Sequence, residues 1–337
     1  MFSYRQMLLQ SFKITWKNRY LWFFGLFASL LSIGAEYQIL TRAMSRNASL
    51  EWWYNWSNFF HSGFFSWGFF PKIFSMFSQD PFFMSLILVI ALIILAAFLL
   101  LIWLAVISQI AIVNNSNQIL KSKKEVADLS LHVGVAAGVK SFWPVLGLNI
   151  ISKVVINMLV ILVSLPLVFL FWNKIFSGAL YILLFVLFIP LAVAFSLMIK
   201  YAIAFIVLQK ANFRSALRSA GKLFRENWIV SLELAFLLFA ISFFATFVIL
   251  TAVLILVIPF FFLALALLSM FTALAFWSVV ILGTIILVVF IILCGSILST
   301  FQVVAWTNLF NHLGRGIESK LERLAPESIR NKPISFK

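Results

Sequence analysis

Long apolar runs dominate the chain, and short segments in which basic and apolar residues recur at helical spacing separate them. Each apolar run reaches or exceeds the ~20 residues that an α-helix needs to cross ~30 Å of hydrocarbon. The runs extend over Leu21 to Leu40, Met84 to Val113, Trp143 to Trp172, Ala179 to Leu208 and Trp228 to Phe310. Because the last run is long enough for two helices, the pattern predicts an all-α fold, a polytopic transmembrane helical bundle of about six spans.

The clearest basic segment runs from Lys210 to Trp228, with the sequence KANFRSALRSAGKLFRENW. Apolar residues fall on one face of the predicted helix and cations on the other, a pattern typical of helices that lie in a membrane interface. We expect the cationic face to bind anionic lipid headgroups. Its members are Arg214, Arg218, Lys222 and Arg225.

Two fainter copies of this segment occur upstream. Aligning Trp228 with Tyr20 and with Trp143 requires no gap, and it superposes small residues on small residues and cations on cations. The first copy, from Phe2 to Lys17, fits either a helix lying in the interface or the first turns of a spanning helix. We therefore predict one membrane domain of three repeated hairpins, each preceded by a basic amphipathic helix. The units are residues 1–125, 126–209 and 210–310, and a charged tail follows at 311–337.

Prolines predict where the spans bend or end. Pro166 and Pro190 are expected to kink spans three and four. Pro259 is expected to end span five. The segment from Phe260 to Ala275 would then form an outer-leaflet or re-entrant segment before span six, which is Trp277 to Phe310.

Composition agrees with a membrane protein. Of 337 residues, 64% are hydrophobic and 10% charged, and the mean hydropathy is +1.10. The chain therefore has too few charged residues to cover a soluble globule. Its net charge of +15 resides in short segments beside apolar helices, so anionic lipids are the expected partner and nucleic acid is not. The sequence specifies no protein partner.

The distribution of cations predicts the topology. Basic residues precede spans one, three and five and recur in the tail, which by the positive-inside rule places these segments in the cytoplasm. Both termini are then cytoplasmic, in a multi-pass protein of the cell inner (plasma) membrane. The aromatic-rich stretch from Arg42 to Phe83 would lie at the outer interface, with a ligand-binding cap as the alternative.

No catalytic motif is present in the sequence. Residues Gly134 to Ser141, GVAAGVKS, have one residue too few between the glycines for a phosphate-binding loop, and Val139 stands where that loop has lysine. We interpret Gly134 and Gly138 as a small-residue face for close helix packing. The three histidines have no partner at metal-ligand spacing, and Cys294 is the only cysteine. We expect no enzyme activity, no metal and no cofactor.

Polar residues within the spans are the remaining candidates for function, because ionisable groups in hydrocarbon usually face the protein interior. They are Asn149, Lys153, Asn157, Lys200 and Glu233. One interpretation is a shared buried cluster. The other is that the lysines extend to the headgroups and Glu233 lies near the cytoplasmic interface.

The order of elements resembles a known group. A long return helix, a polar turn at Asn114 to Gln118, a basic SALRSAGKLFRENW-type helix and a new span are similar to uncharacterised bacterial six-span membrane proteins. These resemble the membrane domain of some glycerophosphoryl diester phosphodiesterases. The catalytic barrel of those enzymes has no counterpart in this sequence, so the resemblance implies a fold and no catalytic residue.

Two functions stay open at this point. The basic interfacial helices and the lack of a catalytic motif favour a non-catalytic protein that organises lipid or partner proteins. The repeated hairpins and the intramembrane charges favour a transporter or permease component for a small or anionic solute.

Overall fold

The computed structural model of the protein describes residues 4–32, 75, 78, 80–121, 131–168, 174–270 and 273–313. These ranges contain nine α-helices. In chain order they are α1 (Tyr4–Lys17), α2 (Tyr20–Ser32), α3 (Pro81–Lys121), α4 (Leu131–Lys140), α5 (Phe142–Val168), α6 (Lys174–Gln209), α7 (Phe213–Glu226), α8 (Trp228–Met270) and α9 (Ala273–Leu313).

Five of these helices, α3, α5, α6, α8 and α9, are long and apolar enough to cross a membrane. The all-α membrane bundle predicted from the sequence is thereby confirmed as the fold class. The first predicted span begins in α2, whose apolar part, Tyr20–Leu30, is shorter. Because residues 33–40 lie outside the described residues, the count of six spans stays a prediction.

The prediction that Pro259 ends a helix is wrong. Helix α8 continues through Pro259 to Met270, so most of the expected separate segment from Phe260 to Ala275 belongs to this helix. A helix that ended in hydrocarbon would leave several backbone groups unpaired, at several kcal/mol each. A proline inside the helix removes only one backbone hydrogen bond and therefore costs less. Helix α6 likewise continues through Pro190.

The predicted polar turn at Asn114 to Gln118 is also wrong, because these residues form part of α3. Asn115 and Ser116 are fully buried. The Ser116 hydroxyl donates to the Val113 carbonyl at 3.2 Å. A polar sequence can stay helical in the interior of a bundle, because the helix satisfies its backbone groups within the segment.

Each predicted junction between a basic segment and a span is a break between two helices. The breaks follow Lys17, Lys140 and Glu226. At the third, the Asn227 backbone N–H donates to the carbonyls of Leu223 and Phe224, and its side chain also donates to Leu223 at 3.1 Å. Whether the three helix pairs are true repeats stays a prediction.

The chain divides into two compact units. The first comprises residues 1–34, 105–149 and 197–337. Its core joins α1, α2, α3 and α9 through one cluster of buried side chains. The cluster contains Ile14, Leu21, Phe24, Ala28, Ala111, Ile112 and Val304.

Glycines allow helices to approach closely within this first unit. A methyl group on Gly25 of α2 would overlap the Ser296 carbonyl oxygen and the Thr300 hydroxyl of α9. A methyl group on Gly138 of α4 would lie 3.1 Å from the Ile107 Cα atom of α3. Gly134 is equally enclosed, so the prediction of a small-residue face on α4 is confirmed.

The second unit comprises residues 35–104 and 150–196. Its described core lies between α5 and α6, where the buried Val160 and Val163 pack with Ile189 and Ala192. The rings of Tyr181 and Phe185 pack against this cluster.

Candidate functional site

The basic face of α7 is exposed to solvent or lipid along its whole length. The four cations predicted to bind headgroups are all exposed: Arg214, Arg218, Lys222 and Arg225. On the opposite face Ala216, Ala220 and Leu223 are buried, with at most 1% of each exposed. The basic face extends over about 16 Å, the rise of eleven helical residues. We call these four residues the basic stripe.

Short side chains explain why α7 lies so close to the bundle. Alanine at positions 216 and 220 allows α7 to approach its neighbours closely, because each alanine places only a methyl group between the α7 backbone and the residues that cover it. Helix α7 is connected to α6 by three residues, and Lys210 among them takes the left-handed conformation with φ 54°. The tight connection fixes where α7 leaves α6.

A chain of hydrogen bonds holds the α7–α8 break against α6. The Ser231 hydroxyl donates to the Asn227 carbonyl at 2.7 Å. Because its one proton is used there, the Tyr201 hydroxyl, 2.7 Å away, must donate to the Ser231 oxygen. Tyr201 is 1% exposed, so this chain is shielded from competing water. The break that positions the basic stripe is thus anchored to the core.

A small cavity lies in the first unit, lined by residues of α3, α6 and α9, and we call it the polar cavity because amide and ammonium side chains interrupt its mostly apolar wall. Its volume is about 50 Å³, and its lining includes Gln109, Lys200, Gln302 and Trp306. It can hold a few water molecules, since one needs ~10–15 Å³. The Lys200 Nζ atom lies 4.6 Å from the centre of the Trp306 ring, within the range of a cation–π interaction.

Hydrogen bonds extend this cavity to neighbouring helices. The Asn149 side chain of α5 donates to the Gln109 Oε1 atom at 2.9 Å. The Gln302 side chain of α9 donates to the Ser242 hydroxyl of α8 at 2.7 Å. Amide side chains from three helices therefore order the polar interior of the first unit.

Within the first unit, the structure gives Asn149, Lys200 and Glu233 different partners. Glu233 accepts a hydrogen bond from the Tyr4 hydroxyl of α1. Lys200 lies over Trp306, and Asn149 bonds to Gln109. Lys153 and Asn157 belong to the second unit, and both side chains are exposed. The shared cluster stays a prediction.

Sequence reasoning missed Gln109, Gln302 and Tyr4. The two glutamines stand within long apolar runs, and a polar residue in such a run is the signal that could have identified them. Tyr4 gave no such signal, because its role depends on how α1 packs.

Helix α1 packs through a face that combines two apolar residues with two small hydroxyl-bearing ones. Met7, Ser11, Ile14 and Thr15 are buried. The Asn308 side chain of α9 donates to the Met7 carbonyl and the Ser11 hydroxyl, each at 3.2 Å. The large apolar side chains of Leu9, Phe12 and Trp16 lie outside, each more than half exposed. Helix α1 can therefore present its large apolar side chains to lipid.

Taken together, the helices are those of a multi-pass integral membrane protein. No protein-family model, curated protein or solved structure matches the chain. The resemblance to the membrane domain of glycerophosphoryl diester phosphodiesterases therefore stays a prediction.

Proposed function

We propose that this protein is a non-catalytic membrane protein that binds anionic headgroups through the basic stripe and so organises lipid, or lipid-bound partners, at the inner membrane. One observation carries the proposal: four exposed cations occupy one face of α7, and its other face is buried in the bundle. A helix held in this way needs no ordering of its backbone when its cations bind, so the ordering cost is confined to the side chains. Preorganised charges bind more tightly than mobile ones.

The expected strength follows from the number of cations. Each Lys or Arg near an anionic membrane surface contributes ~1 kcal/mol, so four contribute about 4 kcal/mol. Lys222 is partly engaged, because its Nζ atom lies 4.0 Å from a Glu226 carboxylate oxygen. An exposed pair of this kind contributes little, so Lys222 can exchange Glu226 for a headgroup.

Lipid enrichment tests the proposal on the full chain. The protein is assembled into nanodiscs from a mixture of phosphatidylglycerol and phosphatidylcholine, and the lipid ratio that copurifies is measured. We expect enrichment in phosphatidylglycerol that falls as salt is added. The variant with Gln at positions 214, 218, 222 and 225 should lose this enrichment.

A charge-retaining variant is the matched control. Replacing Arg214, Arg218 and Arg225 with Lys keeps the stripe cationic and should preserve the enrichment. Equal lipid ratios for the wild-type protein and the glutamine variant would reject the proposal.

A transporter or permease for a small or anionic solute is the second candidate function. The polar cavity favours it, since Lys200, Gln109 and Gln302 come together around it in the interior of the first unit. Uptake by reconstituted vesicles that Lys200→Met abolishes would support transport. Uptake unchanged by Lys200→Met would show that transport does not depend on the lysine of this cavity.

A further inference from the structure

A long apolar groove opens on the surface of the first unit between α1, α8 and α9. Its volume is about 740 Å³, within the ~300–1,000 Å³ typical of small-ligand sites. Its walls include Leu8, Phe12, Leu237, Ile249, Ile297 and Phe301. The groove shares no lining residue with the polar cavity or the basic stripe.

The length of the groove matches one leaflet of a bilayer. Along α8 the lining extends from Leu237 to Ile249, which is about 18 Å at 1.5 Å per residue. The hydrocarbon of a single leaflet is ~15 Å deep. An extended acyl chain would therefore be covered along most of its length.

The two ends of the groove differ in polarity. Tyr4 and Arg5 line one end, and Arg5 is exposed. Of the described residues that line the groove, Arg5 carries the formal charge. Glu233 lies one helical turn before Leu237 on α8 and does not line the groove; its carboxylate accepts a hydrogen bond from Tyr4. The occupant should thus be apolar along its length and anionic at one end.

We infer that the groove holds one acyl chain of an anionic bilayer phospholipid, with the phosphate at Arg5. A helix from a second copy of the chain fits less well. A helix about 10 Å wide occupies roughly 1,400 Å³ over the same 18 Å, about twice the volume of the groove. Charge selects among lipids, because the cation at the groove mouth favours an anionic headgroup.

Retention of lipid by the full chain tests this inference. The protein is purified in mild detergent from membranes that contain phosphatidylglycerol and phosphatidylethanolamine, and native mass spectrometry measures the bound lipid. We expect the mass of one phosphatidylglycerol molecule to remain bound to each protein chain. Ala245→Trp places an indole in the groove and should remove most of it, whereas Phe247→Trp on the same helix should not, since Phe247 is exposed outside the groove.

The headgroup contact has its own variant and control. Arg5→Gln should lower phosphatidylglycerol retention about five-fold, the factor that corresponds to ~1 kcal/mol for one cation. Lys13→Gln removes an exposed cation from the same helix, outside the groove, and should leave retention unchanged. Arg5 is exposed, so its replacement preserves folding even if Ala245→Trp does not.

Cys294 provides an independent reporter, because it lines the groove and is the only cysteine of the chain. A bound acyl chain should slow alkylation of Cys294 by a lipid-soluble maleimide. Alkylation should be faster in Arg5→Gln than in Lys13→Gln.

Several outcomes would overturn the inference. They are equal retention of both phospholipids, retention unchanged by Ala245→Trp and Arg5→Gln, and a mass showing a second copy of the chain in place of lipid. The glutamine variant of the basic stripe keeps the groove intact and should still retain the single phosphatidylglycerol. The experiments therefore distinguish a failure of the lipid-groove inference from a failure of the function proposed for the basic stripe.

Discussion

Individual side chains in the first unit act where two helices come closest. The single hydroxyl proton of Thr300 on α9 is shared between the Ser296 carbonyl of the same helix, at 2.8 Å, and the Leu21 carbonyl of α2, at 3.2 Å, as a three-centre hydrogen bond. The Ser296 hydroxyl donates to the Trp22 carbonyl of α2. Hydrogen bonds from a side chain of α9 to the backbone of α2 require the two helices to lie very close together. Gly25 makes that approach possible, because it has no side chain.

Gly25→Ala should therefore destabilise the protein. Its methyl group would overlap the Ser296 carbonyl, a backbone atom that cannot rotate away. Overpacking of this kind costs about 1–3 kcal/mol. Thermal unfolding in detergent measures the loss. Gly295→Ala on α9 is the control, since a methyl group there meets nothing within 4 Å and alanine is the better helix former by ~1 kcal/mol.

A second prediction at this scale concerns Glu233. Because the Tyr4 hydroxyl donates to its carboxylate, we expect Glu233→Gln and Tyr4→Phe to be coupled. A hydrogen bond to a charged group contributes about 1.5–3 kcal/mol, and the double variant should lose clearly less stability than the sum of the single ones. A double-mutant cycle followed by thermal unfolding measures the coupling.

The parallel cycle with Lys200→Met tests the shared intramembrane cluster. Coupling between Glu233 and Lys200 that exceeds the coupling to Tyr4 would favour that cluster. Additive effects for Glu233 and Lys200 would favour the separate surroundings seen in the structure.

At the scale of helices, the local sequence pattern predicts where helices lie better than it predicts whether a helix continues through a proline or a polar segment. Helix α7, Phe213–Glu226, lies within the basic segment predicted from Lys210 to Trp228, because its cations and small residues alternate with a clear helical period. The predictions for Pro259 and for the segment Asn114 to Gln118 are wrong because each rests on local propensity alone. Their actual state depends on whether neighbouring helices or hydrocarbon surround them, which a local pattern does not contain.

The same limit applies to the candidate site. The basic stripe could be recognised from spacing alone, since its four cations share one face of one helix. The polar cavity could not, because the partners of Gln109 and Gln302 depend on the rotation of three helices about their axes. Tyr4 and Glu233 are more than two hundred residues apart in sequence, and no periodic pattern connects them.

The proline within α8 gives a prediction for the whole helix. Because α8 is continuous through Pro259, Pro259→Ala adds one backbone hydrogen bond to an existing helix and should raise the thermal unfolding temperature or leave it unchanged. If a separate segment began there, loss of the proline would remove its boundary and lower the stability. Pro144→Ala is the control, because a proline in the first turn of α5 removes no intrahelical hydrogen bond.

For the whole molecule, the described helices and the distribution of charge together predict one topology. Lys121 is the last residue of α3 and Lys140 is the last residue of α4, so both belong to the connection that leads from α3 to α5, and the basic stripe on α7 lies between α6 and α8. These connections should face the cytoplasm by the positive-inside rule. Because α5, α6, α8 and α9 each fit a single crossing, the connections at 169–173 and 271–272 should face the opposite side.

Reporter fusions test this topology in cells. A periplasm-dependent reporter inserted after Trp172, between α5 and α6, should give a strong signal, and so should one near Ser57, which lies outside the described residues. The same reporter fused after Lys337 should give none, because α9 returns the chain to the side of the basic stripe. A signal at Lys337 with none at Trp172 would show that the topology of the protein is the inverse of the one predicted. The basic stripe would then face the outer leaflet, and its proposed attraction to cytoplasmic anionic lipid would fail with it.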